Sequence, residues 1–134
     1  MPAFIVKRTK IYHTVTSTQV QPGRFTEAWG QVLATHRESP AIFRPDGAPL
    51  RTFAGIEQER QALRDALGHL ARRSVVIGRL GNAPAWPALF LACLDLELVL
   101  VPVEDGVPPE QLSRIATLTQ AQALVSSAEA IEHF

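Results

Sequence analysis

Between Val75 and Pro84 the chain reads VVIGRLGNAP, which places Gly78, Gly81 and Asn82 after a β-branched run and ahead of an apolar one. A loop in that position can cradle phosphate, because glycines let backbone N–H groups approach the anion closely. The dinucleotide fingerprint needs three glycines around a tight first turn. Here there are two at another spacing, so the segment reads as a turn shaped by Gly81 and a helix cap supplied by Asn82. Cys93, the single cysteine, lies in an apolar run with nothing nearby to hold a thiolate. It is expected to be a small buried hydrophobe; an internal disulfide is excluded, and a reducing cytoplasm suits it. His13, His36, His69 and His133 are scattered and form no ligand spacing with Cys93 or one another. The spacing indicates no Ser, His and acid set. Arg72 and Arg73 read as cations at a helix C-terminus, since they lack the wider basic patch and interleaved aromatics of a nucleic-acid surface. No catalytic, cofactor-binding or metal-ligating residue is therefore assigned.

Composition bounds the remaining classes. The 134 residues carry 13 Lys plus Arg against 13 Asp plus Glu, so no net field draws nucleic acid or an anionic membrane surface. The only lysines are Lys7 and Lys10. The start, MPAFIVKRTK, is too short in apolar residues for a signal peptide, and no apolar run of about twenty residues crosses a bilayer. One core of ordinary domain size is expected.

The elements follow from pattern. Phe4 to Val20 is rich in Val, Ile, Thr and Tyr and favours extended structure, as an arm or hairpin over residues 1–21. After the break at Gln21 to Gly23, Phe25, Trp29, Val32 and Leu33 recur at helical spacing up to His36. AIF, RPDGAP and LRTF read as two short strands around a turn, with Pro45 presetting its own φ and Gly47 permitting a positive one. Thr52 should cap a helix whose stripe is Ile56, Leu63, Leu67 and Leu70, leaving Glu57, Glu59, Arg60, Arg64 and Asp65 largely outside it. Ser74 to Leu80 is expected as a buried strand and Trp86 to Leu96 as a helix enclosed by protein, with Pro84 in its first turn. LVLVPV should be a second buried strand, Pro109 to Thr119 a helix facing inward through Leu112, Ile115 and Leu118, and ALVSS a third strand before a helical end. Alternating strands and helices predict an α/β fold with parallel pairing and right-handed crossovers.

Certain of these junctions carry a resemblance. Trp29, His36, Pro40 and Ala41 lead to Asp46 and Gly47, then Thr52 and Phe53; Asn82, Ala83, Pro84 and Trp86 follow, and Leu91, Ala92, Cys93 and Pro102 close the series. In order and spacing this resembles the opening of the AMP-forming acyl ligases, the adenylating family of acyl-CoA synthetases and peptide-synthetase adenylation domains. There are departures. Gly55 stands where the family usually has Glu, which removes a reciprocal capping box. Glu97 stands where it usually has Gly, which makes a left-handed helix ending less comfortable. Glu104 and Asp105 stand near where some CoA-using relatives have a basic residue, which counts against CoA as acceptor.

The resemblance implies a parallel-sheet, three-layer α/β subdomain over residues 22–134, the amino-terminal part of the large domain of an adenylate-forming enzyme. It implies a parent that activates a carboxylic acid as acyl-adenylate with ATP and magnesium and passes it to a thiol, CoA or a carrier protein. The family grips ATP with a Ser/Thr/Gly-rich loop followed by Lys and with a lysine on a mobile carboxy-terminal domain. Neither has a counterpart here, and both lysines precede every matched motif. The expectation is an inactive scaffold whose partner is the remainder of the ligase. The alternatives are a free-standing interaction module with a remnant of the fold and, further off, a flavodoxin-like nucleotide binder. Truncation would leave the third strand's edge and the helix around Phe90 partly exposed, inviting self-association.

Overall fold

A computed structural model describes residues 23–134. The expected arm, with His13, Lys7 and Lys10, lies outside those residues. In chain order the elements are α1 (Arg24–His36), β1 (Pro40–Phe43), β2 (Pro49–Thr52), α2 (Phe53–Leu67), β3 (Val75–Gly78), α3 (Trp86–Asp95), β4 (Val99–Pro102), α4 (Pro109–Thr119), β5 (Ala123–Val125) and β6 (Ile131–His133).

β1 and β2 form the expected antiparallel hairpin. Its turn is closed by the Gly47 N–H donating to Arg44 O at 2.9 Å and by the Asp46 carboxylate accepting from Ala48 N. Gly47 is needed there because φ is +86°. Thr52 caps α2 as expected, its hydroxyl accepting from Gly55 N at 3.0 Å, so half of the capping box survives without the family's Glu.

The remaining strands form one sheet in the order β4-β3-β5-β6. β3 lies between β4 and β5 and is parallel to both, which places two crossovers in a mixed α/β sheet. Side chains alternate across it. Val76, Ala123 and Val125 face a core with Ile56, Leu63 and Leu67 of α2 and Ala88, Leu89, Ala92 and Cys93 of α3. Ile77 and Leu124 face the opposite side, where Leu112, Ile115 and Ala116 of α4 cover them.

Four expectations about this sheet are corrected. LVLVPV is, among the described residues, an edge strand with β3 alone beside it, half exposed with Val99 at 46%; continuous apolar character does not distinguish one neighbour from two. The chain after ALVSS is not helical, because 131–133 pairs antiparallel with β5 through Ala123 and His133, Leu124 and Glu132, and Val125 and Ile131. β6 therefore already covers the β5 edge that was expected to lie open. Leu118 points to solvent at 75% exposure, since the inward face of α4 runs through Leu112, Ile115 and Ala116.

Helix boundaries shift too. α2 ends at Leu67, so Leu70 packs from the following turn. Arg72 and Arg73 lie in that loop, beyond the helix they were expected to terminate. α3 begins at Trp86 with Ala85 as its N-cap, and neither Asn82 nor any other side chain caps it. The turn at Gly81 and the hydrogen bond from Ala83 N to Leu80 O hold Asn82 to Pro84 in the preceding loop, and Pro87 takes the first-turn position. α3 is enclosed except at Phe90, 47% exposed, which meets Phe25 of α1 edge to face at 6.3 Å.

Candidate functional site

β3 and β4 are neighbours, yet the chain leaves β3 toward α3 on one face and β4 toward α4 on the other. Loops diverging from adjacent parallel strands open a crevice at the strands' carboxyl ends, the usual ligand position in open α/β sheets. A crevice of about 480 Å³ occurs there, lined by Gly81, Asn82, Trp86, Pro102, Glu104 and Asp105 among others.

Its geometry is tightly specified. Gly81 has φ +54°, and a Cβ there would come within 3.2 Å of the Asp105 carboxylate. The Trp86 indole N–H donates to Gly81 O at 2.7 Å. The ring lies against Gly78, where a Cβ would meet it at 2.9 Å. Arg79 donates from Nη2 to the Asp105 backbone O at 2.6 Å and ties the two loops together. Gly81 thus shapes the turn, as the sequence indicated, Gly78 permits close packing, and the aromatic of the Asn-small-Pro-aromatic series locks the loop. Chemically the crevice presents two carboxylates and an amide, and among the described residues no basic side chain lines it, which makes it a poor receptacle for triphosphate.

The other expected candidates are placed as follows. Cys93 is buried and its thiol is pushed up to about 11 by desolvation, which leaves it protonated and inert at neutral pH. His69 and His133, distant in sequence, stand edge to face with centroids 4.7 Å apart, a neighbourhood that spacing could not reveal. His36 packs against Phe53 at 6.3 Å. Among the described residues there is no group of three or more His, Cys, Asp or Glu placed to hold a metal ion. Arg72 pairs with Glu97, and Arg73 adopts φ +66° with its N–H donating to Glu97 O at 2.8 Å.

The most elaborate polar constellation is one that pattern reading assigned to the surface. Glu57 and Arg60 are buried, 6% and 8% exposed. Arg60 forks onto Glu57, with Nε to Oε2 and Nη2 to Oε1 both at 2.7 Å, and its Nη1 reaches Asp95 of α3. From α1, the Trp29 indole N–H donates to Glu57 Oε2 at 2.6 Å and the Thr26 hydroxyl to Asp95 Oδ1 at 2.8 Å. Gln61 Nε2 adds a bond to Glu57 Oε1 at 2.9 Å. The Arg60 bonds, ahead of those from Trp29 and Gln61, overcome desolvation and hold the Glu57 carboxyl down to about 2. Arg60 is raised in turn by Glu57. Among the described residues no buried side-chain polar atom lacks a partner. With each member hydrogen-bonded to another, the network joins three helices. A signal for it existed: Arg60 is four residues after Ile56 and three before Leu63, inside the apolar stripe and not outside it.

With this geometry in view, likeness to known proteins can be read. A family model described as AMP-binding enzyme matches residues 31–133. No curated protein matches. Among solved structures, the N-terminal subdomain of Klebsiella oxytoca NpsA aligns at 19% identity and TM-score 0.60, over 78% of this chain and 27% of that one. VinN in complex with 3-methylaspartate aligns at 18% and 0.63, over 75% and 28%. The anthranilate CoA ligase AuaEII in complex with anthranoyl-AMP aligns at 19% and 0.64, over 75% and 19%. The chain therefore spans less than a third of the length of these structures, and at such identity they establish the fold.

Proposed function

From the premise that this chain belongs to the AMP-binding enzyme family, we propose that it is the amino-terminal scaffold of the large domain of an AMP-forming ligase, spanning residues 22–134. The parent activates a carboxylic acid as acyl-adenylate and transfers it to a thiol of CoA or a carrier protein, in the cytoplasm. The observation that carries this reading is the family match over 31–133, a range that includes the Thr52 cap and the Gly81 to Trp86 turn. Transfer of AMP requires cations and oriented amides around the α-phosphate, and ATP with its magnesium would be held by polypeptide outside this chain. What this chain contributes is a rigid sheet with three helices stapled to one face. Among the described residues no helix is long and apolar enough to cross a membrane.

One experiment tests the proposal. ATP–pyrophosphate exchange is measured with magnesium and a panel of fatty and aromatic acids, for the 134-residue chain and for the polypeptide encoded by its continuous reading frame. The chain alone is expected to be silent and the longer polypeptide active with at least one acid; turnover by the isolated chain refutes the scaffold role. The competing reading, a free-standing interaction module, has one observation in its favour: β6 already pairs with the β5 edge. It predicts no exchange from either polypeptide.

A further inference from the structure

Two histidines far apart in the chain meet on the α2 side of the sheet, and neither takes part in the scaffold's core. His69 lies in the turn that follows α2, held by Leu70 N donating to Leu67 O at 3.0 Å and by Leu70 packing against the core. His133 lies on β6 directly opposite Ala123, and the next N–H, of Phe134, donates to Gln122 O at 2.9 Å. Side chains alternate along a strand, so His133 shares a face with Ile131, which packs against the same core, while Glu132 turns to the α4 side. The two imidazole centroids are 4.7 Å apart with their planes at 70°, and both residues are exposed. Among the described residues no third His, Cys, Asp or Glu joins them.

We propose that His69 and His133 form a two-imidazole site for a divalent transition metal of the Ni²⁺ or Cu²⁺ kind, whose binding fastens β6 to the turn after α2. Imidazole nitrogen suits nickel, copper and zinc, whereas Mg²⁺ and Ca²⁺ take oxygen ligands, so this site differs in kind from a magnesium-nucleotide centre. The separation then selects among the three. A metal–nitrogen bond of about 2.0–2.1 Å, with the ring centre about 1.1 Å behind the nitrogen, puts each centroid about 3.2 Å from a shared ion. Centroids 4.7 Å apart then subtend about 95° at that ion, the cis angle of a tetragonal Ni²⁺ or Cu²⁺ site and narrower than tetrahedral zinc prefers. Because the rings stand edge to face, ligation turns one of them about its Cβ–Cγ bond, a broad and soft torsion at an exposed position. Both backbones are already held, by the turn and by the strand, so little order is lost on binding. Water completes the coordination. Edge-to-face packing alone also brings rings to this distance, but it predicts no response to metal.

The test is nickel chloride binding to the 134-residue chain at pH 7.5, with magnesium chloride as the control. Calorimetric titration gives the dissociation constant, and paramagnetic broadening of amide NMR signals gives the location. Nickel is expected to bind, to raise the melting temperature and to broaden amides around 69 and 133, while magnesium does none of these. His69→Gln and His133→Gln should each weaken nickel binding at least about tenfold, since a chelate loses its second, linked ligand when either ring goes. His36→Gln, whose ring packs against Phe53, should leave the affinity unchanged. His69 and His133 are exposed, so both variants are expected to fold, and the broadening map of the unsubstituted chain is a check that needs no variant. Absence of binding at millimolar nickel overturns the proposal. So does weakening in only one of the two variants, which assigns the ion to a single imidazole, or broadening centred elsewhere in the chain. No part of the test reads pyrophosphate exchange, so failure here leaves the ligase reading untouched.

Discussion

Replacing Arg60 with Met should be among the most damaging single changes available to this chain. Its guanidinium is 10% exposed and balances two carboxylates, Glu57 at 8% and Asp95 at 10% side-chain exposure. Removing one partner of a buried ion pair costs about 3–5 kcal/mol, because the remaining charges keep their desolvation without their compensation. A domain of this size holds roughly 5–15 kcal/mol in all. With a urea slope of about 2 kcal/mol/M, the unfolding midpoint should fall by about 1.5–2.5 M. Trp29, whose indole N–H donates to Glu57, and Trp86 supply the fluorescence signal at pH 7. Arg72→Met is the control: it breaks a pair whose arginine is 75% exposed and should cost no more than about 1 kcal/mol. If the two variants unfold at the same urea concentration, the ionic cluster does not hold the helices and the argument fails.

Acid should release the same cluster. The Glu57 carboxyl is held at about 2 against an ordinary 4.5, so its stabilisation is complete above pH 4.5 and fades as pH falls from there toward 2, on the order of 3 kcal/mol in total. In Glu57→Gln that part of the pH dependence should vanish from urea titrations. Glu97 occupies φ +53° in a Schellman ending, with Leu98 N donating to Cys93 O at 2.9 Å. Glu97→Gly should therefore stabilise by about 1 kcal/mol when compared within an Arg72→Met background, read as a rise in melting temperature. Gly78→Ala should destabilise by about 1–3 kcal/mol, since its methyl would sit 2.9 Å from the Trp86 ring; an unchanged melting temperature would mean that the ring yields freely. Cys93 should resist maleimide at pH 8 until urea unfolds the chain, and rapid labelling in buffer would contradict its burial.

Much of the α/β alternation could be read from the chain because each junction is decided locally. Thr52 has a short side chain that reaches Gly55 N, Gly47 tolerates a positive φ, and Val75 to Ile77 prefer extended backbone. What could not be read depends on partners remote in sequence. Val99 to Val101 have the same apolar character whether one strand or two lie beside them. The segment 131–133 becomes a strand only because β5 offers it an open edge. His69 and His133 meet only once that pairing is made. Arg60 shows both limits: a charge ordinarily faces solvent, yet its position between Ile56 and Leu63 points inward, and the carboxylate that completes its bonding, Asp95, comes from another helix. The crevice between β3 and β4 was foreshadowed by Gly81 and Trp86, but the role of Asp105 above the glycine was not.

α1 contains no buried residue, and its hold on the body depends on Trp29, Thr26 and the edge-to-face ring of Phe25. Such a segment has a lower opening energy than the sheet beneath it, so it should behave as a detachable clasp that frays while β3 and β5 stay closed. Any solvent exchange at its amides would then report release of the clasp, well before the molecule as a whole gives way.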